Sequence, residues 1–201
     1  MKKLAGLLVM CATIAVASPA FATPFQFKAV INTASLAGAP GGPFILDFQL
    51  NGVGPATNSV VLSNFSFIGG GATGSPDLFG GASGSLATSV TINSAGGFFN
   101  DFSQTFTPGS LLTFDVFFPD VKVNSPTPDA FAFSILDSAF NPIHTTGLFD
   151  TLILVNLDKP VGLTIQTASS ITPAGVTATA VPEPTTILLM AGGLGLLLRR
   201  K

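Results

Sequence analysis

Hydrophobic and polar residues alternate through much of this chain. In Phe44-Ile45-Leu46-Asp47-Phe48-Gln49-Leu50, the side chains of Phe44, Leu46, Phe48 and Leu50 fall on one face of an extended strand. Asn51-Gly52 follows, a favoured tight-turn pair. Phe25 to Ala29 alternates in the same way, and Leu111 to Phe118 aligns Leu112, Phe114, Val116 and Phe118 against Thr113 and Asp115. Ala130 to Leu136 aligns Phe131, Phe133 and Ile135. Further apolar runs cover 60–68, 86–92, 99–106, 151–157 and 162–167, separated by Gly, Pro, Asn, Asp and Ser. No stretch of twelve or more residues between the two ends repeats with a helical period. The pattern predicts an all-β body over 23–167, an antiparallel β-sandwich of nine or ten short strands. A jelly roll is the expected topology, because two packed sheets would bury the many phenylalanines. A parallel β-helix is the rival, but the regular repeat of about 20 residues that it needs is missing. The Gly-rich stretch Gly69 to Gly84 reads as a long, mobile surface loop. Residues 168–180, rich in Thr, Ser, Ala and Pro, read as a linker with room for one last strand.

Both ends break the alternation. Met1-Lys2-Lys3 is positive, Leu4 to Ala17 is almost wholly apolar, and Ser18-Pro19-Ala20-Phe21-Ala22 follows. Ala20 and Ala22 stand at positions −3 and −1 of a cut after Ala22, the layout of a secretory signal peptide over 1–22. A retained anchor fits less well, since the apolar run is short. Lipidation at Cys11 is disfavoured, because Met10 is a poor neighbour and the apolar run continues past it. At the other end, Thr186 to Leu198 is uncharged, thirteen residues long. As a helix it would rise about 20 Å, against a bilayer core of about 30 Å. It is a marginal spanning segment, suited to a transient stay in the inner membrane. Arg199, Arg200 and Lys201 then act as the cytoplasmic basic stop, which leaves the body on the far side.

Pro182-Glu183-Pro184 sits just ahead of that apolar segment. Each proline lacks an N–H and fixes φ, and each drives its predecessor toward extended geometry. The tripeptide is therefore a stiff, exposed handle carrying one carboxylate. Glu183 is the single glutamate of the chain. This order of P-E-P, a short apolar helix and R-R-K at the C-terminus resembles the PEP-CTERM sorting signal of Gram-negative bacteria, here 181–201. The resemblance implies recognition and processing of the tail by an exosortase, an integral membrane enzyme, after export and signal peptidase cleavage. It also implies a final place at the cell surface or in an extracellular matrix, associated with exopolysaccharide and biofilm. The alternative is an ordinary tail anchor. The body is loosely similar to β-sandwiches found on other PEP-CTERM proteins, which implies a fold and no activity.

Composition narrows the chemistry. From Thr23 to Ala180 there is no Cys, Trp, Tyr, Met, Arg or Glu. Three lysines (28, 122, 159) face nine aspartates, a formal charge of −6 that the whole-chain value of −2 conceals. No basic patch is available for nucleic acid. With no cysteine there is no disulfide framework, and stability must come from packing.

Catalytic candidates are few. His144 is the single histidine, and Asp150 lies nearby, yet Gly81-Ala-Ser-Gly-Ser85 fails the G-x-S-x-G pattern and no S-x-x-K occurs. Glycoside hydrolysis would need two carboxylates across a cleft, and nothing in the spacing selects a pair. Zinc sites need more Cys and His than are present. Calcium takes oxygen ligands. Its loop candidates are Asp77, Asp120, Asn124 and Asp129, or Asp150 with Asp158, without a D-x-D-x-D-G loop to select among them. The plainer reading is that these aspartates keep an apolar domain soluble and start turns. Sugar sites stack rings on exposed Trp or Tyr, which the chain lacks. Phe98-Phe99 could be an exposed pair, though a core or edge-strand role is the expectation. The strands carry no obvious edge protection.

The expectation is a non-enzymatic, exported surface or matrix protein whose body is structural or adhesive, through self-association. Its rival is a polysaccharide-binding module, assisted by calcium. An exported hydrolase ranks third.

Overall fold

The computed structural model describes residues 24–124, 126–143, 150–157, 162–165 and 179–180. The expected signal peptide and C-terminal helix lie outside the described residues. Among the described residues thirteen strands follow one another: β1 (Phe25–Asn32), β2 (Phe44–Asn51), β3 (Ser59–Ile68), β4 (Gly71–Ala72), β5 (Asp77–Phe79), β6 (Ala82–Gly84), β7 (Ser89–Asn93), β8 (Phe99–Thr107), β9 (Leu111–Phe118), β10 (Ala130–Leu136), β11 (Ile153–Asn156), β12 (Gly162–Ile165) and β13 (Thr179–Ala180). Two single 3₁₀ turns, Ala34–Leu36 and Ser94–Gly96, are the helical pieces among the described residues. None of these is long and apolar enough to cross a membrane.

The strands form two sheets, all of whose pairings are antiparallel. The first runs β13-β1-β9-β3-β7-β6 and the second β12-β11-β10-β2-β8-β4, with β5 also on β8. The expected all-β architecture of two antiparallel sheets is present. Pairings nest along the chain: β3 with β7, β2 with β8 and β1 with β9, alternating between sheets.

The inner faces meet through phenylalanine. Phe48 of β2 stacks on Phe133 of β10 at 4.7 Å and meets Phe114 of β9, in the other sheet, edge-on at 5.3 Å. Phe118 and Phe131 make a second inter-sheet edge contact at 5.8 Å. All of these rings are fully buried. Each contributes about 1.5–3 kcal/mol by burial, and well-set ring pairs add roughly 0.5–1.5 kcal/mol. The strands predicted at 44–50, 111–118 and 130–136 present the expected inward residues.

Strand β3 departs from simple alternation. Val60 and Leu62 point inward, and so do Phe65 and Phe67, which have the opposite parity. A bulge resolves this: the register against β9 shifts between Ser63 and Ser66. Asn64 occupies the extra position with φ of 54° and donates from Nδ2 to Asp115 Oδ2 at 2.7 Å. Asn tolerates this left-handed conformation better than most residues. One inserted residue thus turns the second half of the strand back onto the core.

The stretch Gly69 to Gly84 is not a long surface loop. It contains β4 and β5, which pair with β8, and β6, which pairs with β7. It straps the edge shared by both sheets, so that edge is protected after all. Close backbone approach is why the segment is glycine-rich. At Gly84, with φ of 100°, a Cβ would collide with the Ser89 carbonyl oxygen. At Gly70 it would collide with that of Thr107. On the opposite edge, β13 adds to β1 with Ala180 beside Phe27 and Thr179 beside Lys28.

Candidate functional site

Three places bear on function: the point where the chain leaves the body, a loop staple around Asp129, and the outer face of the second sheet. Pro182, Glu183, Pro184, Arg199, Arg200, Lys201, Ala20 and Ala22 lie outside the described residues, as do His144 and Asp158. What the structure does place is the residue before the tail. Ala180 is hydrogen-bonded into a sheet edge, two positions ahead of Pro182.

The calcium candidates are not gathered into one set. Asp120 is on the surface, 3.4 Å from Lys122 Nζ, both about half exposed. Asp77 lies on β5. Asp150 lines a hollow with Leu36, Phe44, Asp137 and Ile143. Asn124 and Asp129 do meet, at 2.7 Å, but as donor and acceptor. Asp129 is fully buried. Its Oδ1 accepts from Asn124 Nδ2 and from Val53 N at 3.0 Å, and its Oδ2 accepts from Asn58 Nδ2 at 3.0 Å. Asn124 also grips Ala56 both ways, at 3.0 and 2.9 Å. Asn58 does the same to Lys122, at 2.8 Å in each direction. A buried carboxylate without a cation needs such donors. Here they staple the connection after β2 to the connection after β9. Among the described residues no three His, Cys, Asp or Glu side chains form a metal-ligating group.

The outer face of the second sheet carries a cluster that the sequence did not suggest. Asp47 on β2, almost fully buried, shares a hydrogen bond with Asp101 on β8. Gln49 Nε2 donates to Asp47 Oδ2 at 2.8 Å. Burial raises the pKa of Asp47 above the usual carboxylate value. Burial, the hydrogen bond to Asp47 and the negative charges of Asp47 and Asp77 push Asp101 up to about 8. Two carboxyls in direct contact share one proton. These residues are 54 positions apart, and only the β2–β8 register unites them.

Beside the pair lies an apolar patch. Phe98 is 65% exposed, Phe99 39% and Phe79 60%, and the rings of Phe79 and Phe99 meet at 5.8 Å. The expectation of a core or edge role for Phe98-Phe99 is corrected. In β8 the buried aromatic positions are Phe102 and Phe106, so Phe99, of opposite parity, faces out. Register sets Phe99 opposite Asn51 and Phe79 opposite Asp101. A hollow of ≈520 Å³ lies on the outer face of the first sheet, lined by Gln26, Lys28, Asn64, Asp115 and Phe117.

Comparison with known proteins speaks to the tail. Residues 180–201 match the family model of the PEP-CTERM protein-sorting motif. The chain therefore carries the signal of an exosortase-sorted protein, exported through the membrane to the cell surface. No curated protein and no solved structure matches the chain.

Proposed function

We propose that the body is a non-enzymatic structural or adhesive module of the cell surface or extracellular matrix, delivered by its sorting tail. In this reading signal peptidase removes 1–22 and the tail helix holds the chain in the inner membrane. Exosortase then acts at Pro182-Glu183-Pro184, and the body joins a biofilm or exopolysaccharide matrix. The nested strand pairings support a jelly roll in which β11 follows β10 as a hairpin at one end of the second sheet. The observation that carries the adhesive role is the Phe79–Phe99 ring pair, with exposed Phe98 next to it in the chain, large apolar side chains turned to solvent on an acidic domain. Such patches mark interaction surfaces.

A second reading, polysaccharide binding, is favoured by one feature. The Phe79–Phe99 ring pair stands beside the polar residues Asn51 and Asp101, which the strand register sets opposite Phe99 and Phe79. Rings beside acceptors suit a hydroxyl-rich ligand, and calcium would assist through carboxylate oxygens. The experiment is retention of a Phe79→Ser, Phe98→Ser double variant in the native surface fraction, with glycan pull-down in parallel. The adhesive reading expects lost retention and no glycan capture by either protein. Glycan capture by the wild type alone would favour the second reading. Unchanged retention and no capture would sink both.

A further inference from the structure

We propose that Gly71–Gly84 is a pH-responsive strap over the edge of the sandwich, latched by one proton that Asp47 and Asp101 share. The strap joins both sheets, through β4 and β5 on β8 and through β6 on β7. Its ties are short polar ones. Thr73 N donates to Thr105 O at 2.8 Å, Thr105 Oγ1 returns to Thr73 O at 2.7 Å, and Gln104 Nε2 reaches Gly74 O at 2.9 Å. Gly81 N donates to Asn100 Oδ1 at 2.8 Å. All three residues of β5 are exposed, Leu78 at 44% and Phe79 at 60%.

Three carboxyls meet where this strap crosses the sheet. Ser103 lies opposite both Asp47 and Asp77, and Asp101 is two residues from Ser103. All three acids therefore sit on one face of three adjacent strands. The groups facing the pair among the described residues are Asp77 on β5, Gln49 on β2, Ser103 on β8 and Ser134, opposite Asp47, on β10. None is a cation. Asp101 Oδ1 is buried with no other donor. A single carboxylic O–H between Asp47 and Asp101 reconciles the contact, the burial and the orphan oxygen. The values given above for Asp101 place the loss of that proton near neutral to mildly alkaline pH.

Once the proton leaves, three like charges share one face. Strands β2 and β8 cannot separate without opening the phenylalanine core. The three-residue β5 can move at little cost, and its departure bares the edge of β8 to pairing. The inference is independent of what the body binds.

Amide hydrogen exchange of the purified full chain tests it, at about pH 6 and about pH 9, corrected for intrinsic exchange chemistry. In the wild type, protection of 71–84 should fall at least about tenfold between the two, the equivalent of one pKa unit of coupling, with β9 unchanged. Asp77→Asn and Asp101→Asn should keep the strap protected at the higher pH. Asp77 is exposed, so its variant keeps the test available if Asp101→Asn fails to fold. Equal protection at both pH values in the wild type overturns the proposal. So does an equal loss in wild type and Asp77→Asn.

Discussion

Two regions of this molecule bury carboxyl groups with no cation beside them among the described residues, and they solve the problem differently. Around Asp129, three N–H donors converge on the two oxygens, so burial is met by hydrogen bonding and the connections after β2 and β9 become one unit. At Asp47 and Asp101 the described donors are fewer, with one amide on Asp47, and the pair must keep a proton to coexist. The first arrangement is a fixed structural element. The second is conditional on pH. Burying a carboxyl therefore says little about its role until its donors are counted.

Substitution separates the two most sharply at Asp129. Asp129→Ala leaves Val53 N, Asn58 Nδ2 and Asn124 Nδ2 without their acceptor. It should destabilise the body by at least about 3 kcal/mol, read as a fall in Tm or denaturant midpoint.

Asp101→Asn should behave in the opposite way. A carboxyl whose folded pKa lies above its unfolded value contributes stability that is complete below the unfolded value. That contribution is lost as pH rises through the folded value. For Asp101 the window runs from the ordinary carboxyl value of 3.8 to about 8. Wild-type Tm should decline across it and the variant's should not. At about pH 9 the variant should exceed the wild type by roughly 3 °C, a modest figure because the site is partly open to solvent. A wild-type Tm that rises over this window would break the comparison.

An effect smaller than that at Asp129 is expected at the bulge. Asn64→Ala puts at a left-handed position a residue that adopts it less readily than Asn, and it removes the contact to Asp115. A loss of about 1–2 kcal/mol in chemical denaturation is expected, while Asn64→Gly should lose less.

What could be read ahead of the structure follows the same physics. Phe44 to Leu50 and Leu111 to Phe118 were legible because each buries one face along a whole strand, so the alternation is written in the residues themselves. The parity change at Asn64 was hidden, since apolar residues at 65 and 67 look like any continuing run. The strap was misread as loop because Gly, Ala and Ser in β4 and β6 carry no apolar pattern. They are strands by virtue of the neighbours they pair with. Asp47 and Asp101 gave no sign of each other, because a strand register joins them and no local spacing does. The sorting tail was the most legible part. A signal read as an extended peptide and a short apolar helix needs no tertiary context to be recognised, and residues 180–201 match the known motif.

The central proposal is that the body, freed of both ends, is the working protein. Intact mass of the chain recovered from the native host's surface fraction tests this directly. The account predicts a mass beginning at Thr23 and ending near Val181 to Pro184, plus any attached group. A mass that still includes Arg199, Arg200 and Lys201 would contradict it, and would make the tail a permanent anchor.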